Sequence, residues 1–190
     1  MNPYQIAVVV GSLRKDSVNR KLAYALERLA PPTLAFTHLN IGDLPLYNQD
    51  EEGNPGAAVV RLKQQIAAAQ GLLFVTPEYN RSIPGALKNA IDHASRPYGK
   101  NAWAGKPAGV IGASLGPMGT ALAQQHLRNI LAYLDVPTLG QPEAFIHAQA
   151  GLFDAAGGIG SDSRPFLQSW MDQFVAWVAK HAQPRVRAAA

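Results

Sequence analysis

The chain has 190 residues, of which 47% are hydrophobic and 16% charged, a composition that argues for one folded domain and against disorder. It contains no cysteine, which excludes disulfide scaffolds, thiol nucleophiles and thiolate metal sites. The net charge of +4 is scattered along the sequence rather than gathered in one basic patch, so we expect no nucleic-acid partner.

Strand-like and helix-like segments alternate along the chain. Residues 6–10 form a short apolar run typical of a buried strand, and apolar residues then recur at helical spacing from Val18 to Leu29. The further elements predicted are a strand over 34–39, a helix over 59–69, a strand over 71–76, a helix over 86–94, a strand over 107–113, a helix over 119–134, a weak strand around Phe145 and a last helix over 166–178. This alternation of strands and helices predicts a flavodoxin-like three-layer sandwich, α/β in class, with a five-stranded parallel sheet of order 2-1-3-4-5.

The sequence also predicts the bounds of the domain, the cellular location of the protein and whether it spans a membrane or binds a metal. We expect one domain over residues 1–182 and a disordered tail over residues 183–190. No apolar stretch reaches about 18 residues, so no membrane span is predicted. The N-terminal residues lack the basic-then-apolar order of a signal peptide, so a cytoplasmic location is expected. Histidines and carboxylates lack the spacing of metal ligands, so no metal site is expected.

A sheet of this order binds ligands beyond the carboxyl ends of its strands, at the switch point between the first and third strands. The loops after Val10, Val75 and Ile111 should therefore meet at one site. All three loops are rich in polar residues, glycine or proline, which makes them the candidates for function.

The first loop, residues 11–19, has the features of an anion site. It leads from a buried strand into a helix, so free helix N–H groups face the loop. Donors that would surround a phosphate are Ser12, Arg14, Ser17 and Asn19. The loop is neither a Walker A loop nor a GxGxxG fingerprint. A polar turn in which Ser17 caps the helix explains the same residues equally well.

The second and third loops have less specific patterns. In residues 76–85, Pro77 and Pro84 restrict the backbone around Tyr79. A rigid loop with an aromatic side chain is suited to contact the edge of a flat heterocycle. The alternative is a rigid exposed turn whose tyrosine packs against a neighbour or another subunit. In residues 112–119, glycines allow close approach of a ligand, but a glycine-rich helix entry is the favoured interpretation of that loop taken alone.

Two histidines on predicted helices are further candidates. His93 follows Asp92 and could act as a base, but a surface or capping role is favoured. His126 lies beside the apolar stripe of its helix and is interpreted as a packing or interface residue. Neither histidine is therefore assigned a catalytic role.

Five blocks of the sequence, in order, resemble the NADPH-dependent FMN reductase family, and especially its branch of soluble quinone and chromate reductases. The blocks are GSLRKDSVN at 11–19, LPLY at 44–47, TPEYN at 76–80, SIPGALKNAID at 82–92 and AGKP at 104–107. The likeness runs from about residue 5 to residue 146.

The resemblance implies noncovalently bound FMN and assigns residues to it. The phosphate would be held by Ser12, Arg14, Ser17 and Asn19, with backbone contacts from Leu13 and Val18. The isoalloxazine would be lined by Pro77, Glu78, Tyr79 and Asn80, and completed on the far side by Ser114 and Gly116. Arg81 and Ser82 belong to the same cofactor-binding set, and Arg81 stands where several relatives carry an aromatic residue.

The implied activity is two-electron transfer from NADPH or NADH to a small-molecule acceptor, by hydride exchange through the flavin N5. Expected acceptors are quinones, with azo dyes, chromate or free flavin as further candidates. Family members form homo-oligomers, so a dimer or a homotetramer is expected, with the flavin near the interface. The alternative is an electron carrier of flavodoxin type, but such carriers are usually acidic and this chain is net positive.

Overall fold

The computed structural model describes residues 2–182 and contains one five-stranded sheet. All strands are parallel, in the order β2-β1-β3-β4-β5. Their bounds are Tyr4–Val10 for β1, Leu34–His38 for β2, Gly71–Val75 for β3, Ala108–Ser114 for β4 and Phe145–His147 for β5. Every residue of β3 is buried, as expected for a parallel strand covered on both faces. The predicted sheet and strand order are confirmed.

Five α-helices cover the two faces of this sheet. Their bounds are Val18–Glu27 for α1, Ala57–Ala68 for α2, Gly85–Ser95 for α3, Ala121–Tyr133 for α4 and Arg164–His181 for α5. Helices α1 and α5 pack on one face, and α2, α3 and α4 on the other. Within residues 2–182, none of the helices combines the length and the hydropathy that crossing a bilayer requires. The expected tail, residues 183–190, lies outside the described residues.

Strand β1 shows how the sequence builds two cores at once. Ile6 and Val8 join the core beneath α1 and α5, whereas Ala7 and Val9 join the core beneath α2, α3 and α4. Successive side chains of a strand point to opposite faces, so a continuous apolar run is buried on both sides.

The register of the central strands brings their carboxyl ends together. Val10 pairs with Val75, and Val75 pairs with Ile111. Backbone hydrogen bonds continue this alignment into the loops, from Gly11 N to Val75 O (2.9 Å) and from Thr76 N to Ile111 O (3.0 Å). The three loops that follow β1, β3 and β4 therefore begin side by side.

Candidate functional site

A cavity of about 130 Å³ lies at this edge of the sheet, and all three loops contribute to its wall. Its lining residues are Ser12, Arg14, Ser17, Val18, Asn19, Pro77, Glu78, Tyr79, Ala113, Ser114 and Leu115. Ala113 and Leu115 are not among the cofactor-binding residues predicted from the sequence. Their position indicates the site, because both flank the predicted Ser114 in the same loop.

The first loop supplies a helix N-terminus to the cavity. Ser17 is the N-cap of α1, and its Oγ accepts from the N–H of Arg20 at 3.2 Å. The next two N–H groups, of Val18 and Asn19, have no hydrogen-bond partner among residues 2–182. Because the Ser17 hydroxyl accepts from Arg20, its proton remains available for a ligand. The two explanations of this loop, a capped turn and an anion site, are therefore compatible.

Two further donors of the first loop are unpaired. Ser12 is buried at 5% exposure, Arg14 is exposed, and neither side chain has a hydrogen bond or ion pair within the described part of the chain. A hydroxyl, a guanidinium and free helix N–H groups form a donor set suited to a phosphate. The neighbouring Lys15 and Asp16 are exposed and do not line the cavity.

Asn19 lines the cavity but is held by the protein itself. Its Nδ2 donates to Ala113 O and its Oδ1 accepts from Ala113 N, both at 2.9 Å. This buried pair joins α1 to the end of β4. A single N–H of the Asn19 amide is left for a ligand.

The second loop forms a tight turn beside the cavity. Tyr79 and Ser82 exchange backbone hydrogen bonds of 2.9 and 3.0 Å around Asn80 and Arg81. The φ angles of these two central residues are 51° and 62°, as in a type I′ turn. Asn80 and Arg81, which the family resemblance assigns to the cofactor-binding set, lie at the exposed tip and do not line the cavity.

Glu78 lines the cavity, and its carboxylate contacts α4. Its Oε2 accepts from the N–H groups of Leu122 (3.0 Å) and Ala123 (3.1 Å) in the first turn of that helix. The side chain is thus engaged with the protein, and Pro77 and Tyr79 beside it complete this part of the wall.

Ser82 faces a neighbouring cavity of about 470 Å³ rather than the first one. Its Oγ shares a hydrogen bond of 3.0 Å with Nδ1 of His126, which is exposed and not packed into the apolar stripe of α4. His93 is only 8% exposed, so of the two favoured roles, surface or capping, the surface role is wrong. Its Nε2 donates to Pro45 O at 2.8 Å and holds the loop before α2.

In the third loop, two of the three glycines have structural explanations. A Cβ at Gly112 would lie 2.2 Å from Thr76 O, so the close packing of the loops requires glycine there. Gly119 has a φ of 55°, which favours glycine at the entry to α4. Gly116 has open space around it, is exposed and does not line the cavity; its carbonyl accepts from Ser114 Oγ at 2.9 Å.

Leu13 also lies outside the cavity wall. Its side chain is 52% exposed and faces the loop after β2, where a Cβ added at Gly42 would lie 3.2 Å from Leu13 Cδ2. Any contact of this residue with a ligand in the cavity would therefore involve its backbone.

The size and chemistry of the cavity fit one end of FMN. Sites for whole small molecules usually measure about 300–1,000 Å³, and this cavity is smaller. Its unpaired donors suit the phosphate, whereas the ring system would extend past the mouth. Tyr79 and Leu115, at 47% and 75% exposure, present apolar surface there.

The fold defines a flavodoxin-like protein, and the cavity, its candidate ligand site, lies at the switch point of the sheet. The sequence profile of the NADPH-dependent FMN reductase family matches residues 4–151, and the chain belongs to this family. This confirms the resemblance seen in the five sequence blocks.

Individual relatives cover nearly the whole chain. A 2-hydroxy-1,4-benzoquinone reductase of Burkholderia sp. is 54% identical over 175 residues, which span 92% of this chain and 96% of the relative. The solved structure of FerB from Paracoccus denitrificans, a flavoenzyme NAD(P)H:(acceptor) oxidoreductase, is 48% identical with a TM-score of 0.91, covering 95% of this chain and all of FerB (100%). A flavodoxin of Pseudomonas aeruginosa, 20% identical with a TM-score of 0.54 over 90% of this chain and 99% of that chain, shows the fold alone.

Proposed function

We propose that the protein is an FMN-dependent NAD(P)H oxidoreductase that transfers two electrons to quinones or related acceptors. The observation that carries this proposal is the cavity that joins the loops after β1, β3 and β4 and contains unpaired donors. Membership of the FMN reductase family and the names of the quinone-reducing relatives support the choice of cofactor and acceptor. Azo dyes, chromate and free flavin are further candidate acceptors.

Each loop has a separate role in this proposal. Ser12, Arg14, Ser17 and the free N–H groups of Val18 and Asn19 bind the FMN phosphate. When bound, FMN supplies hydride chemistry that the side chains of the cavity do not, so no catalytic acid or base is assigned. The wall made by Pro77, Glu78, Tyr79 and Ser114 orients the ring where it leaves the cavity. Asn80, Arg81, Ser82 and Gly116 lie outside the cavity and would touch only the part of the cofactor that extends beyond it.

The exposed rim of the cavity supports the proposal that the electron acceptor is apolar and flat. Tyr79 and Leu115 flank the mouth, and apolar surface left exposed at a site favours binding of apolar rings. NADPH or NADH and the acceptor would use this same mouth in turn, because both must reach the exposed ring.

We also propose that the chain forms a homo-oligomer, a dimer or a tetramer, through the face of α3 and α4. Two cavities of about 600 and 470 Å³ adjoin on this face and share Lys88, Asn129 and Ile130. Tyr98 and Tyr133 are 86% and 84% exposed there, more than large aromatic side chains usually are. Sedimentation velocity of Tyr133→Glu should show a smaller species than the wild type; an unchanged sedimentation coefficient would contradict this face. One FMN-binding domain over residues 1–182 and a cytoplasmic location stay predictions.

The proposed activity is tested with the purified protein and its absorbance spectrum. Titration with FMN should saturate at one FMN per chain, and anaerobic NADPH or NADH should then bleach the flavin band. Addition of 1,4-benzoquinone should restore the band and sustain turnover. Binding without bleaching by either nucleotide would support the flavodoxin-type electron carrier instead, and a failure to bind FMN would contradict the proposal.

A further inference from the structure

We infer that Glu78 is a positioning residue: by capping the N-terminus of α4 from a different loop, its carboxylate fixes the Tyr79–Ser82 turn against the cavity. The inference rests on the proposed function only in that the ligand of the cavity is FMN. The capping contact itself lies within the described residues and does not depend on the ligand.

Helix α4 lacks a cap of its own. Its N-cap residue, Thr120, is fully buried with a φ of 70°, and its side chain makes no capping hydrogen bond. Thr120 Oγ1 instead accepts from Gln124 Nε2 at 3.0 Å. The first N–H groups of a helix need an external acceptor, and those of Leu122 and Ala123 find it in Glu78 Oε2.

The capping contact suits a carboxylate. Hydrogen bonds from backbone N–H groups to an ionised acceptor are stronger than neutral ones, and a helix N-terminus carries a partial positive charge. The donors that line the cavity favour an anion, and Glu78 places a negative charge beside them. The partial positive charge at the N-terminus of α4 offsets this negative charge. Without this compensation the carboxylate would repel a phosphate or a negatively charged ring.

A second contact on α4 holds the other end of the turn. Ser82 Oγ is 3.0 Å from Nδ1 of His126, about one helical turn after Ala123. Between these two contacts, Asn80 and Arg81 both have positive φ, a conformation that is unfavourable for arginine and persists only where the surroundings support it. Helix α4 therefore supports the turn at both of its ends.

Variants of Glu78 separate the effect of side-chain length from the effect of charge. Glu78→Gln keeps an oxygen at the same distance from the helix; its neutral hydrogen bonds are weaker than those of the carboxylate, so the affinity for FMN should fall by no more than about threefold. Glu78→Ala removes the acceptor, and Glu78→Asp withdraws it by one methylene; both should weaken FMN binding about tenfold. The hydrogen exchange of the Leu122 and Ala123 amides should accelerate in the Ala and Asp variants without FMN.

A matched control is available in the loop after β5. Asp154 Oδ1 accepts from the N–H groups of Ala156 (2.9 Å) and Gly158 (2.8 Å), again one carboxylate oxygen with two backbone N–H groups, and Asp154 does not line the cavity. Asp154→Ala should lower stability like Glu78→Ala but leave the affinity for FMN within about twofold of the wild type.

The outcomes distinguish this inference from the proposed function. Equal FMN affinity in the wild type and Glu78→Ala, or an equal loss in Glu78→Ala and Asp154→Ala, would overturn the inference. Wild-type affinity in Glu78→Asp combined with a loss of affinity in Glu78→Gln would also overturn the inference, because the charge of the side chain and not its length would then determine FMN binding. If the wild type binds no FMN, the proposed function fails, while the amide exchange of Leu122 and Ala123 still tests the cap. If Glu78→Ala does not fold, the Asp and Gln variants decide.

Discussion

The first and second loops of the cavity differ in how their polar groups are satisfied. In the first loop, the side chains of Ser12 and Arg14 and the N–H groups of Val18 and Asn19 have no partner within residues 2–182. In the second loop, the Glu78 carboxylate and the Ser82 hydroxyl are both bonded to α4. The first loop therefore offers donors to a ligand, whereas the second is a wall whose shape is fixed beforehand. Binding energy and ring orientation should accordingly respond to different substitutions.

Asn19 is the exception in the first loop, since its amide is bonded to the protein, and its substitution should have the largest effect. Asn19→Ala leaves the N–H and C=O of Ala113 without their buried partner. The free energy of unfolding should fall by about 2–4 kcal/mol, measured by urea denaturation without FMN. Asn40→Ala, which removes the exposed hydrogen bond that Asn40 Oδ1 accepts from Gly42 N–H (3.1 Å), is the control and should change it by less than about 0.5 kcal/mol. Equal effects of the two substitutions would contradict the structural role of Asn19.

Arg14→Ala should affect binding rather than folding. Loss of a charged hydrogen bond to the phosphate should weaken FMN binding by about 1–3 kcal/mol, measured by fluorescence titration. The urea midpoint should stay unchanged, because the exposed Arg14 side chain makes no hydrogen bond or ion pair within residues 2–182. Lys15→Ala removes the same charge from a neighbour that does not line the cavity. An equal loss of affinity in Lys15→Ala would indicate a general effect of charge.

The smallest effect is expected at the tip of the second loop. Arg81→Gly relieves an unfavourable φ of 62° and creates the Asn-Gly pair favoured in type I′ turns. Allowing for the greater freedom of glycine in the unfolded chain, the free energy of unfolding should rise by about 0.5–1 kcal/mol. Arg81→Ala keeps the unfavourable backbone and should give no gain. Destabilisation by Arg81→Gly, seen as a lower urea midpoint, would show that the arginine side chain supports the turn.

The sequence predicted the fold well because its information is local. The apolar run of β1 and the alternation of strands and helices fix the layers, and the strand order then brings three particular loops together. Ser12, Arg14 and Ser17 were predictable for the same reason, since a strand–loop–helix pattern places them beside free N–H groups.

Contacts between distant segments could not be read from the sequence. Glu78 bonds to residues 44 and 45 positions away, and Asn19 bonds to Ala113, 94 positions away. Gly112 and Gly116 look alike in the sequence, yet packing against Thr76 requires only the former to be glycine. The sequence alone also does not separate the tip of a turn from its base, here Asn80 and Arg81 from the lining residues Glu78 and Tyr79.

The measurement that tests the central claim most directly compares FMN with riboflavin, which lacks the phosphate. The dissociation constants of both ligands are measured for the wild type and for Arg14→Ala. If the first loop binds the phosphate, the wild type should prefer FMN by about tenfold or more, and Arg14→Ala should lose most of that preference while its affinity for riboflavin stays the same. An FMN preference that survives Arg14→Ala unchanged would contradict the assignment of the first loop.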